Sequence, residues 1–205
     1  MSNDEFASLA ESLVAAGRTL HGNGWVPATS GNLSARLGNG QIAITVSGAH
    51  KGGLTHADIM LASADGNPLG EGRPSAETGM HVALYRRFPA VNAVLHAHSP
   101  GSILASRLFG DEIVLENHEL LKALPGINSH EATVRVPILA NDQDIARLAS
   151  HLDEHLEAHP DTQAFIIAGH GFYAWGTSVA RALIHLEALE FMFDLEVRLY
   201  GVKKS

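Results

Sequence analysis

The chain has no cysteine, so no disulfide stabilises it and no thiolate serves as nucleophile or metal ligand. A bound metal would have to be held through nitrogen and oxygen. Positive charge is also scarce. Fourteen Lys and Arg stand against 22 Asp and Glu, a formal net charge of −8, and the basic residues form no block. This argues against nucleic acid or an anionic membrane surface as the main partner and favours a small molecule. No apolar run reaches membrane-spanning length. The start, Met1-Ser2-Asn3-Asp4-Glu5, is acidic and lacks the basic segment and apolar centre of a secretion signal. The expected location is therefore the cytoplasm, with no membrane partner. The nucleotide-binding patterns GxxxxGK[ST] and GxGxxG are absent too, which removes the usual nucleotide and dinucleotide readings.

What remains is ample material for one core: 205 residues, read as a single domain over 1–205. Phe6, Leu9, Leu13, Ala16 and Leu20 repeat at helical spacing after possible caps at Ser2 to Asp4, and Gly22 to Gly24 end that helix. Short strands are expected over 32–37 and 42–46, joined by the Gly38-Asn39-Gly40 hairpin signal and followed by a turn region. Helices are expected over 75–87 and 99–108 around a strand at 93–98, then a strand at 113–115 and a short helix at 116–124. After these come a strand at 133–138, a helix at 143–158, strands at 164–168 and 171–175, and a long final helix capped by Thr177 or Ser178. The order predicts an α/β or α+β domain with a central, mainly antiparallel sheet flanked by helices.

Histidine is plentiful, with 13 residues. His96-Ala97-His98 closes the apolar run Ala93-Val94-Leu95. A second run, Phe165 to Gly169, delivers His170. In an extended chain, residues i and i+2 share a face about 6.5 Å apart, so two imidazoles can converge on one ion. A His-x-His pair in so histidine-rich a chain is compatible with chance. The third histidine at another strand end favours a metal site, because strand ends are where sites are commonly assembled. Three neutral imidazoles suit zinc or a similar ion and leave a coordination position open, the mark of a catalytic site. His151, His155 and His159 also recur at i, i+4, but they flank the stripe Ile145, Leu148, Leu152 and Leu156 and read as a solvated helix face.

Three glycine and hydroxyl clusters could bind phosphate: Thr29-Ser30-Gly31-Asn32, Thr45-Val46-Ser47-Gly48 with Lys51, and Arg73-Pro74-Ser75. Glycine lets backbone N–H groups approach an anion, side chains add donors, and Lys51 adds charge. Each is also compatible with an ordinary turn.

In combination and in order, the SGN loop (Ser30, Gly31, Asn32), the TxSG loop (Thr45 to Gly48), the PSxE segment (Pro74 to Glu77), the HxHS pair (His96 to Ser99) and the GHGxxxWG segment (Gly169 to Gly176) resemble the class II aldolase and adducin head family over nearly the whole chain. The resemblance implies the class II aldolase fold. It also implies one zinc ion per subunit on His96, His98 and His170, and a small phosphorylated sugar held by Ser30, Gly31, Asn32, Ser47, Gly48, Lys51 and Ser75. A homotetramer with active sites near subunit interfaces is implied as well. The middle stretch, His118-Glu119-Leu120-Leu121-Lys122-Ala123-Leu124 with Gly126-Ile127 and Val134 to Ile138, looks like the family's dehydratase branch rather than its sugar-phosphate aldolases. That branch converts 5-methylthioribulose 1-phosphate to 2,3-diketo-5-methylthiopentyl 1-phosphate in methionine salvage.

The implied enzyme is a metal-dependent hydro-lyase. The C3 proton is acidified by the neighbouring carbonyl, a Lewis acid would stabilise the enediolate, and a carboxyl group would protonate the departing C4 hydroxyl. Glu119, matched to the dehydratase acid/base position, ranks first for that role. Read from the residues alone, it is a solvated glutamate at a helix start. Glu77, the glutamate of PSxE, ranks second, and its i, i+4 relation to His81 also permits a purely structural contact. A class II aldolase, a pentulose-phosphate 4-epimerase and an adducin-head-like interaction module are the alternatives. No methylthio pocket is evident, although Phe109 and Trp175 are available.

Overall fold

The computed structural model describes residues 2–203. In chain order the elements are α1 (Ser2–Gly22), β1 (Asn32–Arg36), β2 (Ile42–Thr45), β3 (Ile59–Ala62), α2 (Thr78–Arg87), β4 (Ala93–Ala97), α3 (Pro100–Leu108), β5 (Glu112–Glu116), β6 (Thr133–Leu139), α4 (Ile145–Ala158), β7 (Ala164–Ile167), β8 (Gly171–Gly176) and α5 (Val179–Lys203). The strands form one sheet in the order β3-β2-β1-β4-β8-β7-β6-β5. Every neighbouring pair is antiparallel except β6 with β7. The expected α/β architecture, a mainly antiparallel sheet flanked by helices, is what the chain forms.

Strand alternation assigns the faces. Leu33, Ala35, Leu95, Ala97, Ile166, Phe172 and Ala174 pack with apolar residues of α1, α3 and α5. Ile44, Val94, Phe165, Ile167, Tyr173 and Trp175 point the other way, onto Met80 and Leu84 of α2 and Leu148, Leu152 and Leu156 of α4. Each fully buried Leu or Phe contributes roughly 1.5–3 kcal/mol, so both faces hold the sheet between helices. Register then places chemistry. Asn32 pairs with His96, His96 with Tyr173, and Tyr173 with Phe165, so a single row crosses four strands on the α2 and α4 face. The Tyr173 ring stacks on His96 at 4.1 Å and on Phe165 at 4.7 Å.

Several boundaries differ from the sequence reading. β3 lies in what reads as a turn region, because Ile59-Met60-Leu61-Ala62 shows no alternation and gains its extended state by pairing with β2. The helix expected over 116–124 shrinks to a 3₁₀ segment, Glu119–Ala123. Asn117 ahead of it takes a positive φ of 59°, and Pro125 behind it disfavours helical geometry at Leu124. Helix α2 starts at Thr78 rather than Ser75, since Pro74 bridges back to Val46 in extended form. Asp144 caps α4 by accepting from the Arg147 N–H at 3.1 Å, and Ser178 caps α5 by accepting from that of Arg181 at 3.2 Å. Helix α1 already begins at Ser2, inside the segment expected to cap it. The side chains of residues 2 and 3 lie outside the described residues. His151 and His159 are exposed and His155 is half-buried, as a solvated flank requires. Among the described residues no helix is long and apolar enough to cross a membrane.

Candidate metal centre and anion cleft

His96 comes from the end of β4, His98 from the residue after it, and His170 from the turn between β7 and β8. That turn is tight: Gly169 takes φ +66°, and the His170 N–H donates to the Ile167 carbonyl at 3.0 Å. Glu77 enters from the start of α2. One ligand atom from each of Glu77, His96, His98 and His170 lies within 4.8 Å of all the others. The Nε2 atoms of His96 and His98 are 2.9 Å apart. Glu77 Oε2 is 3.3 Å from His96 Nε2, and Oε1 is 3.3 Å from His170 Nε2.

The protonation pattern fits a cation. The His96 Nδ1–H donates to the Phe172 carbonyl at 2.9 Å, which leaves the lone pair on Nε2 facing the cluster. Burial, reinforced by His170, pushes His96 down to about 3. Burial, reinforced by His96 and His170, does the same for His98. Both are neutral ligands at ordinary pH. His96 Nε2 and the Glu77 carboxylate therefore meet acceptor to acceptor, an arrangement that a cation between them stabilises. Two nitrogens at about 2.0–2.1 Å from a tetrahedral zinc ion lie roughly 3.3 Å apart, close to the spacings seen.

Above the cluster opens a cleft of ≈ 390 Å³. It is lined by every residue assigned to phosphate or substrate from the sequence, namely Ser30, Gly31, Asn32, Ser47, Gly48, Lys51 and Ser75, together with Glu77, His98 and His170. The SGN loop depends on Gly31. At φ +73°, a Cβ there would sit 2.6 Å from the His96 carbonyl and 2.7 Å from Val26, so only glycine lets the loop lie against β4. Ser30 Oγ is buried with no partner among the described residues, a donor suited to an incoming anion. Lys51 is buried, and its ammonium donates to the carbonyls of Thr29 at 3.1 Å and Ala49 at 2.6 Å. It thereby ties two of the loops together and keeps one proton spare. Burial, partly offset by Asp58, lowers it to about 8.

Some expected residues stand elsewhere. Glu119 is exposed, bonded to Lys122, and belongs to neither the cluster nor the cleft lining. The Lys122 ammonium holds its carboxyl below the usual range. Asn32 lines the cleft, but its amide is engaged inward: Nδ2 donates to Glu77 Oε2 at 2.7 Å, and Oδ1 accepts from His81. Trp175 stacks on Phe88 in the core, and Phe109 packs edge-on against Tyr200. Neither lines the cleft, whose apolar lining is Val46, Ala76 and Ile145.

Sequence reasoning missed Tyr173, whose buried hydroxyl lies beside the Glu77 carboxylate. Burial and the adjacent Glu77 charge raise it well above the ordinary tyrosine range. The alternation of Tyr173 with Trp175 along β8 signals an inward face, but not which strand lies next to His96.

Residues 11–197 match the family described as Class II Aldolase and Adducin N-terminal domain. A protein of Methylococcus capsulatus named methylthioribulose-1-phosphate dehydratase is 57% identical over 204 residues, 100% of both chains. One of Pseudomonas aeruginosa with the same name is 47% identical, over 98% of this chain and 100% of its own. Among solved structures, L-fuculose-1-phosphate aldolase of Thermus thermophilus superposes with a TM-score of 0.79 at 26% identity, covering 98% of this chain and 99% of its own. A putative aldolase/epimerase/decarboxylase of Escherichia coli superposes with a TM-score of 0.80 at 30% identity, covering 93% and 88%.

Proposed function

The chain belongs to the class II aldolase and adducin N-terminal domain family, and on that premise we propose that it is a metal-dependent hydro-lyase that dehydrates 5-methylthioribulose 1-phosphate to 2,3-diketo-5-methylthiopentyl 1-phosphate. Full-length identity of 57% to a relative bearing the dehydratase name supports the reaction. The observation that carries the chemistry is the acceptor-rich cluster of Glu77, His96, His98 and His170 at the floor of a hydroxyl-lined cleft. We assign the step to methionine salvage in the cytoplasm and the active form to a homotetramer with one zinc ion per subunit.

His96, His98 and His170 would hold the ion. When bound, it would supply a Lewis acid that lowers the cost of the negative charge developing on the substrate. Ser30, Ser47 and Ser75 offer hydroxyl donors to the phosphate, Gly31 and Gly48 let backbone approach it, and Lys51 adds charge. Of the two carboxylates lining the cleft, Glu77 and Asp142, Glu77 is the one that also belongs to the histidine cluster, and it would accept the C3 proton. Loss of the C4 hydroxyl as water requires a proton, and the enol left behind tautomerises to the diketone. Glu119 stays the first candidate for that acid. Because it stands outside the cleft of its own chain, the role requires Glu119 to enter the cleft of another copy in the tetramer.

The three intact histidines favour catalysis over a purely structural, adducin-head-like role. The fold is shared with aldolases, so the products decide the reaction. Zinc-loaded protein incubated with methylthioribulose 1-phosphate should yield the diketone and one water per turnover. Triose or glycolaldehyde-type fragments from sugar phosphates, with no diketone, would overturn the assignment in favour of carbon–carbon cleavage.

A further inference from the structure

Helix α2 and strand β1 interdigitate their polar side chains in one buried line. Glu77, His81 and Tyr85 follow one another at i, i+4 and i+8, and Asn32 and Ser34 at i and i+2. Four helical residues rise about 6 Å and two strand residues about 6.6 Å, so the two rows stay in step. The contacts run in order. Tyr85 Oη is 2.7 Å from Ser34 Oγ, Ser34 Oγ is 2.7 Å from His81 Nδ1, His81 Nε2 meets Asn32 Oδ1, and Asn32 Nδ2 reaches Glu77 Oε2 at 2.7 Å. His81 and Ser34 are fully buried, and Asn32 and Tyr85 nearly so.

Proton directions in this line are determined. The Glu77 carboxylate can only accept, so the Asn32 NH₂ faces it and the Asn32 carbonyl oxygen faces His81. That oxygen also can only accept, so His81 must carry its proton on Nε2. Burial keeps the ring neutral, so Nδ1 is an acceptor, Ser34 donates to it, and Tyr85 donates to Ser34. The end of the line that matters is the amide. Its O and N ends are nearly alike in shape, and an Asn32 turned over would set a carbonyl oxygen against the Glu77 carboxylate.

We propose that His81 is a positioning residue for the dehydration: by donating from Nε2 it locks the Asn32 amide and so aims the Glu77 carboxylate at the substrate, with the Ser34 and Tyr85 hydroxyls completing the line behind it. An amide cannot readily pass a proton, so the line orients Glu77 and does not relay protons to it. The proposal rests on Glu77 as the base, yet part of its test is independent of activity.

The first measurement is solid-state NMR of zinc-loaded protein labelled with ¹⁵N at histidine, with His81 assigned by its absence in His81→Gln. The expected result is a single neutral Nε2–H tautomer, retained in Ser34→Ala because the Asn32 oxygen alone requires it. A Nδ1–H tautomer in the unaltered protein would overturn the proposal whether or not the protein dehydrates anything. The second is kinetic. His81→Leu removes the donor to Asn32 and should lower kcat roughly ten-fold or more, with KM and zinc per chain unchanged. His81→Gln keeps an N–H that can reach Asn32 and should recover most of the loss. Equal losses in both variants, or a kcat that falls only in proportion to zinc, would assign His81 to packing alone. Absence of dehydration in the unaltered protein, with the expected tautomer present, would refute the reaction assigned above while leaving the lock supported.

Discussion

Replacing Glu77 with glutamine separates the carboxylate's charge from its shape. Glu77 is only 8% exposed, and its Oε2 accepts from the Asn32 NH₂ at 2.7 Å. Glutamine has nearly the same volume and can present its own carbonyl oxygen to that donor, exchanging a charge-assisted hydrogen bond for a neutral one at a cost of about 1 kcal/mol. The fold should therefore survive, and the three imidazoles that would hold zinc are untouched. What glutamine cannot do is accept the C3 proton. General acid–base groups contribute about 10²–10⁴-fold, so kcat should fall by that factor, equivalent to roughly 2.7–5.5 kcal/mol of barrier. Because the phosphate contacts are assigned to Ser30, Ser47, Lys51 and Ser75 and not to the Glu77 carboxylate, KM should stay near the starting value. Steady-state kinetics beside zinc analysis of the same preparation gives the answer. Turnover within a few-fold of the unaltered protein at full zinc content would show that Glu77 is not the base.

Other consequences follow from the same geometry. Glu119→Gln should leave fold, zinc content and phosphate binding intact, since the side chain is exposed and outside the cleft, yet lower turnover about 10²-fold or more if another copy uses it; near-normal turnover measured on the assembled protein would move the acid role to Glu77. His98→Ala should lose metal before anything else, because it removes one of the three protein nitrogens assigned to the ion; metal that stays stoichiometric by elemental analysis would refute the ligand set. Lys51 should make anion binding pH-dependent. Its folded value of about 8 lies below the ordinary 10.5, so the ammonium is present below that pH and lost as pH rises through it. KM should therefore climb above about pH 8, and Lys51→Arg, charged throughout, should flatten the profile. An unaltered profile in that variant would remove Lys51 from the anion site.

Much of this was legible in the chain, and the rest for definite reasons was not. His96, His98 and His170 announced themselves because two short apolar runs each end in histidine, and period 2 puts i and i+2 on one face. The three loops could be located but not joined, since no local pattern says that Ser30, Ser47 and Ser75 meet across a sheet. Asn32 was placed as a substrate contact from its loop motif, whereas its register opposite His96 turns the amide toward Glu77 and His81. The His81, Tyr85 and Ser34 line was visible only as spacing, because helix and strand rises had to be matched across a tertiary contact. Glu119 stood out by resemblance alone, and the fold of one chain sets it on the surface beside Lys122. β3 escaped notice because four successive apolar residues carry no periodicity, and only its pairing with β2 defines it.

The central claim is that an ion at His96, His98 and His170 serves the dehydration of a phosphorylated ketose. The most direct test strips the protein of metal, titrates zinc back, and follows the conversion of 5-methylthioribulose 1-phosphate by NMR. Diketone formation should be lost on stripping and should return in proportion to zinc, saturating at about one ion per chain. Undiminished diketone formation by the metal-free protein, or restoration by zinc of carbon–carbon cleavage instead, would contradict it.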